Sequence, residues 1–245
     1  MITFGVACYN GSDFLDRCLF SLQHSKSNED EIIVYDDGSD DDDYLKEAAE
    51  KYDAVFIRNE ENRGLVYGWN VIASNAKNDL ICLIDSDVAV PKCFRNILME
   101  DMNERYGVIG YESTHVNFDY FMSLDEDKLS FCPKTPVVKT PATQLAGYCY
   151  CFSKIDYNQV GGFDENYRMS LGDADFCCMI ADKLCKISLR VNYPKVFHIE
   201  NSTLGKVIKV TREQMLAREM SYFEEKWNMK PEAMEFKLIR RHFGL

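Results

Sequence analysis

Four short apolar runs in the first third of this chain constrain its fold more than any other feature. They cover residues 2–9, 32–35, 54–57 and 80–84, the last read within the stretch DLICLIDSDVAV. Each is apolar almost throughout and too short for a helix of its own, which is the pattern of a strand buried on both faces. Between the first two, Phe14, Leu15, Cys18, Leu19 and Leu22 recur at helical spacing, with Ser12 or Asp13 as the predicted N-cap. Further helices are predicted over residues 44–51 and 65–76. The alternation β-α-β-α-β-α-β with short links predicts an α/β fold with a parallel sheet and helices on both faces.

In such sheets ligands collect outside the carboxyl ends of the strands. Three polar clusters fall there: Cys8-Tyr9-Asn10, Asp36-Asp37-Gly38 and Asp85-Ser86-Asp87. In the third, two carboxylates spaced i, i+2 close a buried strand, where each raises the pKa of the other unless a cation joins them. Oxygen ligands of this kind suit Mg²⁺ or Mn²⁺, ions that keep open positions for substrate phosphates. A D-x-D alone is most often a solvated turn; three such clusters on one sheet edge are the argument for a site. Neither G-x-x-x-x-G-K-[ST] nor a G-x-G-x-x-G after the first strand is present, so a metal must hold a large share of any diphosphate charge.

The 245 residues suit one large α/β domain, and 46% hydrophobic content is enough for a core. Lys and Arg total 28 against 40 Asp and Glu, and the net charge of −12 argues against a nucleic-acid surface or a generally basic membrane face. No apolar run reaches bilayer length, and the N-terminus lacks a basic region or cleavage pattern. The ten cysteines form no C-x-x-C, and Cys8, Cys18, Cys82, Cys149, Cys151, Cys177 and Cys178 lie in apolar segments, where a reduced thiol behaves as a small hydrophobe. The expectation is a protein of the reducing cytoplasm with no transmembrane segment, peripheral membrane contact staying open.

Beyond residue 90 the rhythm changes. A helix is predicted over 91–102 and a short strand over 108–111, followed by a long irregular stretch, 112–143, punctuated by Pro133, Pro136 and Pro141. Such stretches are often binding loops. A strand over 145–152, a helix over 154–160 ending at Gly161-Gly162, a helix running to Leu184, a strand over 187–191 and an extended piece over 196–198 follow. The last forty residues carry helical apolar positions (Val207, Val210, Met215, Leu216, Met220, Phe223) that can pack on the core or on a partner, so oligomeric state is open.

Taken in order, CYN, IIVYDDGSDD, ENRGLVYGWN, the D-x-D strand, VGGFDE, DADFCCMIAD and VFHIENST resemble a family 2 inverting glycosyltransferase of the GT-A fold. SYFEEKW, residues 221–227, is similar to a closing segment seen in some members. The resemblance implies a GT-A domain over residues 1–204, with a nucleotide-binding half (1–90) and an acceptor and catalytic half (91–204), and a C-terminal helical extension over 205–245. It implies a nucleotide-sugar donor, a UDP-sugar as the first expectation, and a hydroxyl acceptor on a glycan or glycoconjugate. Cys8, Tyr9 and Asp36 would border the base, and Arg63 the base or diphosphate. Asp85 and Ser86 would contact the donor, and Asp87 would ligate Mn²⁺ or Mg²⁺ with His198 as a further ligand. Asp173 would be the catalytic base, with Asp175 a helix-start residue or one that supports the site from behind. Gly172 stands where the family pattern has Glu, which bears on acceptor binding. Gly147 would allow close approach of a sugar, whereas Trp69 and Trp227 are expected to be packing residues.

Competing readings are a sugar nucleotidyltransferase, a non-catalytic member of the same fold, and a Ca²⁺ module on Asp40 to Asp43. The first expects a Gly-rich, basic loop after strand one, and CYNGSDF offers neither. The last lacks the spaced ligands and terminal Glu of an EF-hand, and the four aspartates read better as a solvated helix start.

Overall fold

A computed structural model describes all residues except 41, 103–104, 133–136, 146, 200–208 and 245. The apolar runs form β1 (Ile2–Cys8), β2 (Glu31–Asp36), β3 (Val55–Arg58) and β4 (Leu80–Asp85), joined by α1 (Ser12–Ser25), α2 (Asp42–Lys51) and α3 (Leu65–Asn75). β1 pairs in parallel with both β2 and β4, and β2 with β3. The chain therefore winds one way from β1 and returns across it to β4, which opens a crevice beyond the carboxyl ends of β1 and β4. Register sets Ala7 against Asp85 and Cys8 against Asp36, so the three polar clusters lie side by side on one edge.

Continuous apolar runs are needed because both faces are covered. Ile33, Tyr35, Ile81 and Leu83 meet Trp69 and Ile72 of α3. Their alternate neighbours Ile32, Val34, Cys82 and Ile84 meet Leu15, Cys18 and Leu19 of α1. Neighbouring side chains point to opposite layers, and each layer is a core.

After β4 come β5 (Val88–Ala89), α4 (Phe94–Asp101), β6 (Tyr106–His115), α5 (Phe118–Met122), α6 (Glu126–Leu129), β7 (Lys139–Ala142) and β8 (Cys149–Ser153). Then follow α7 (Lys154–Val160), α8 (Gly172–Leu184), β9 (Ile187–His198), α9 (Lys209–Trp227) and α10 (Pro231–Phe243). The strand order is β3-β2-β1-β4-β8-β6-β9-β5, with β7 paired to β9. Parallel pairing holds through the first half. From β8 onward the sheet is mixed: β8 runs antiparallel to β4 and β6, β6 runs parallel to β9, and β5 and β7 oppose β9.

Several expectations are corrected. Residues 112–143 are not one irregular stretch: β6 runs on to His115, and α5, α6 and β7 follow. The two short helices are fixed by side-chain caps, Asn117 accepting from Tyr120 N and Asp125 from Lys128 N, which hydrophobic periodicity does not display. β8 begins at Cys149 rather than 145, and the pieces 187–191 and 196–198 are one strand with a register shift against β6. α1 is capped at Gly11, not at Ser12 or Asp13, whose side chains lie outside the described residues. Cys93 and Cys132 form a disulfide, contrary to a fully reduced chain, while the seven cysteines named above are buried free thiols. Asp41, Val207, the 200–203 part of VFHIENST and the expected boundary at 204/205 lie outside the described residues, as does the side chain of Val210. Among those described, no helix is long and apolar enough to cross a membrane.

The C-terminal helices pack on the α8 layer through Phe223, Met234 and Leu238. Asp175, fully buried, anchors them: it accepts from Lys226 Nζ and Trp227 Nε1 at 2.8 Å and from Tyr167 OH at 3.2 Å. Asp175→Ala strands these donors and should lower the unfolding free energy by about 3 kcal/mol. Urea denaturation checks this, and a loss below about 1 kcal/mol would show that the anchor matters little.

Candidate active site

A cavity of about 850 Å³ opens at the crevice beyond β1 and β4. Its floor follows from where β4 stops. Asp85 N still donates to Tyr148 O at 3.0 Å, and Ser86 then turns inward, its Oγ so near Gly11 that a Cβ there would stand 2.8 Å away. Asp87, buried, precedes β5, and pairing of Val88 with His198 brings β9 beside it. Asp87 Oδ1 and His198 Nε2 lie 3.6 Å apart, and the imidazole stacks on Tyr148 with centroids 4.6 Å apart. Burial, then the charges of Asp87 and Asp173, hold the Asp85 carboxyl well above the usual carboxylate range. Such a site is relieved by a proton or by a cation.

The residues present fit a divalent ion that completes its shell from substrate. One hard carboxylate and one imidazole meet at the cavity floor, a pairing that suits Mn²⁺. Among the described residues no group of three His, Cys, Asp or Glu side chains forms a closed site.

Asp173 stands in the first turn of α8, its Oδ1 accepting from Ala174 N at 2.8 Å. Burial pushes its carboxyl up to about 6, against the opposing pull of the Ala174 and Gly147 amides. A Cβ at residue 147 would lie 3.2 Å from Asp173 Oδ2, so Gly147 lets its segment rest against the carboxylate. Asp173 also lines a second cavity of about 610 Å³, with Glu112, Gln144 and Arg190 on its far side. The two cavities share His115, Tyr148, Leu171 and Asp173, which puts the carboxylate at their junction.

The donor-side residues divide. Cys8 and Tyr9 line the first cavity, Cys8 as a buried thiol whose pKa burial raises. Asp36 does not reach the wall: it is fully buried, paired with Arg58 and accepting from Ser39 N and Oγ at 3.0 and 2.5 Å. The wall carries Asp37 instead, which accepts from Arg63 N (2.9 Å), Gly64 N (2.7 Å) and Tyr35 OH (3.0 Å). Arg63 is likewise not on the wall, its guanidinium lying 3.6 Å over the Tyr67 ring. Arg168 is, held by bonds from Nη2 to Asn62 O and Oδ1 at 2.9 and 3.1 Å. Side-chain alternation at the end of β2 separates Asp36 from Asp37, whereas nothing in NYRMSLGD marks Arg168. Trp69, expected only to pack, is buried and also lines the cavity.

The structure accounts for Gly172. A Cβ there would stand 2.6 Å from Val66 Cγ2, so α3 occupies the space that a glutamate would need.

The chain belongs to glycosyl transferase family 2, whose sequence profile matches residues 3–153. It is 29% identical over 127 residues to the uncharacterized glycosyltransferase YfnE of Bacillus subtilis (strain 168), covering 50% of this chain and 32% of that protein. It is 34% identical over 91 residues to the poly-beta-1,6-N-acetyl-D-glucosamine synthase of Staphylococcus aureus (strain MSSA476), covering 36% of this chain and 22% of that one. The chain thus spans a third or less of the length of these relatives. The fold is similar to that of the mannosyltransferase PcManGT from Pyrobaculum calidifontis in complex with GDP-Man and Mn²⁺ (TM-score 0.70, 15% identity, 99% of this chain and 69% of that one). It is also similar to S. aureus TarS 1-349 in complex with UDP-GlcNAc (TM-score 0.67, 17% identity, 100% and 73%). The GT-A fold expected from the sequence is the one observed, with α9 and α10 added at its C-terminal end.

Gly172→Ala should cost about 1–3 kcal/mol by overpacking. The double variant with Val66→Ala should recover most of it. Thermal melting of the three proteins checks this, and equal melting of wild type and the single variant would dismiss the steric account.

Proposed function

We propose that the chain transfers a sugar, with inversion, from a nucleotide-sugar donor to a hydroxyl of a glycan or glycoconjugate acceptor. One observation carries this reading: Asp173 sits where two cavities meet, one holding the strand-end carboxylates and the other free of them. A UDP-sugar is the proposed donor, in keeping with the UDP-GlcNAc named for TarS, although PcManGT is named with GDP-Man.

The nucleotide would lie along Tyr9, Asp37 and Asn62, with Asp85 and Ser86 near the ribose and diphosphate and Arg168 as a positive group on the same wall. Asp36 would act from behind, holding the turn after β2 through Ser39 and Arg58. Asp87 and His198 would hold Mn²⁺ or Mg²⁺, which when bound offsets charge on the departing diphosphate. From the second cavity an acceptor hydroxyl meets Asp173. Its oxygen bonds to the anomeric carbon as the carbon–oxygen bond to the diphosphate breaks and that electron pair leaves with the nucleotide. Asp173 takes the hydroxyl proton.

The elevated Asp173 pKa suits this role and fixes a sign. The base works as the carboxylate, so turnover should rise with pH through about 6 and then level. Stability runs the other way: burial favours the neutral form, so its stabilising contribution is full at low pH and lost as pH rises through about 6. Asp173→Asn should lower kcat by about 10²- to 10⁴-fold, keep donor binding, and melt no lower than wild type at pH 7. Initial-rate kinetics with calorimetry on UDP checks this, and unchanged turnover would remove Asp173 as the base.

Wild type should be stabilised by UDP together with Mn²⁺ more than by either alone, and Asp87→Ala should lose that synergy. A thermal-shift panel with UDP, GDP, CMP and dTDP, with and without Mn²⁺, reads both outcomes. Stabilisation by GDP but not UDP would reassign the nucleotide, and Mn²⁺ synergy intact in Asp87→Ala would refute its ligand role.

A further inference from the structure

The wall that carries Arg168 is held by a carboxylate on α9. Glu219 is only 4% exposed. Its Oε1 accepts from the backbone N–H groups of Arg168 (2.8 Å) and Met169 (3.2 Å), and its Oε2 from Ser170 (2.7 Å). These residues and Leu171 line the first cavity and lead directly into Gly172 and Asp173.

Two features make this more than packing. Leu171, the residue before α8, has φ +59°, a left-handed conformation that a leucine adopts only when its surroundings impose it. The same segment is joined to the loop before α3 and to the first turn of that helix. Arg168 O accepts from Val66 N at 3.4 Å and lies against Gly64, while the Arg168 side chain grips Asn62. A buried carboxylate is costly unless its oxygens are matched by donors. Here three consecutive amides match it, and those amides would otherwise be short of acceptors just ahead of a helix. Deleting the carboxylate therefore frees a strained segment whose far end positions Asp173.

We propose that Glu219 is a positioning residue for the transfer reaction. Its carboxylate fixes residues 168–171, and through them the approach of the Asp173 carboxylate to the acceptor hydroxyl, without touching substrate. This rests on the reading of Asp173 as the base. Helix α9 is then a support of the site rather than an appendage to the fold.

The test uses the full chain with Glu219→Ala, Glu219→Gln and, as a control on the same helix, the exposed Glu224→Gln. Glutamine keeps one acceptor oxygen for Arg168 and Met169 and turns a donor toward Ser170, so it should fold and fall between the other two. Amide hydrogen exchange at residues 168–170 should accelerate in Glu219→Ala. With a nucleotide sugar and Mn²⁺, well below the melting temperature, kcat should fall by about 10- to 100-fold, with donor KM unchanged. Glu219→Gln should show a smaller loss, and Glu224→Gln none. Unchanged kcat in Glu219→Ala, with or without a lowered melting temperature, overturns the proposal, as do wild-type amides at 168–170 that exchange as fast as the variant's. Wild type that turns over no nucleotide sugar would overturn the transferase reading and this inference together; turnover retained by the variant would overturn the inference alone.

Discussion

Three carboxylates facing one cavity are the constraint on which the rest of the structure depends. Asp85 and Asp87 are two residues apart and Asp173 comes from far along the chain, yet burial, then the charges of Asp87 and Asp173, together favour the neutral form of Asp85. Left mobile, such groups would separate into water. Each is instead fixed by an element that has no freedom to yield: Asp85 by the end of a strand buried on both faces, Asp87 by a bridge pairing β5 with β9, and Asp173 by the first turn of a buried helix. A rigid excess of negative charge is a poor arrangement for stability and a good one for receiving a cation with its phosphate ligands.

A second use of carboxylates runs through the fold and explains how its loops are shaped. Asp37 gathers the amides of Arg63 and Gly64, Asp30 those of Ile2 and Ser27, Glu219 those of residues 168–170, and Glu235 those of Thr143 and Gln144. A backbone that leaves a strand or enters a helix has amides without partners, and a buried carboxylate offers two oxygens that accept several of them. Glu219 and Glu235 belong to the two C-terminal helices and hold segments on the walls of the first and second cavities respectively. The extension that the sequence marks only by apolar spacing thus bears on the site through hydrogen bonds to backbone.

That division also separates what could be read from the chain beforehand. Strand ends were legible because a run buried on both faces must be apolar and must stop at polar residues; the register then brings Cys8, Asp36 and Asp85 together. Which of two adjacent aspartates faces the cavity was not legible, because alternation says only that Asp36 and Asp37 point opposite ways, not which of them points to the cavity. Arg58, the last residue of β3 and part of no motif, decides the matter by pairing with Asp36, its partner in the strand register. Gly172 reads from sequence as a missing glutamate, yet its meaning lies in Val66, a helix residue more than a hundred positions earlier. The short helices α5 and α6 rest on single-residue caps, and Glu219 looks like any acidic residue on a solvated helix. Long-range hydrogen bonds to backbone leave no periodic trace.

The net charge of −12 would at first argue against an anionic ligand. The carboxylates described above weaken that argument, because many of them point inward and are matched by amides, lysines or arginines within the protein. An incoming diphosphate would meet the local field of the cavity, where Arg168 and Arg212 line the wall and the Asp87–His198 pair is suited to a cation. Field is set by the groups nearest the ligand and by the low-dielectric walls around them, and distant surface charge is screened within about 10 Å of salt solution. An acidic protein can therefore present a site for a nucleotide sugar, provided that its own negative groups at that site are joined by a metal. Folding supplies the repulsion, and under the proposed reading the ion and donor together would remove it.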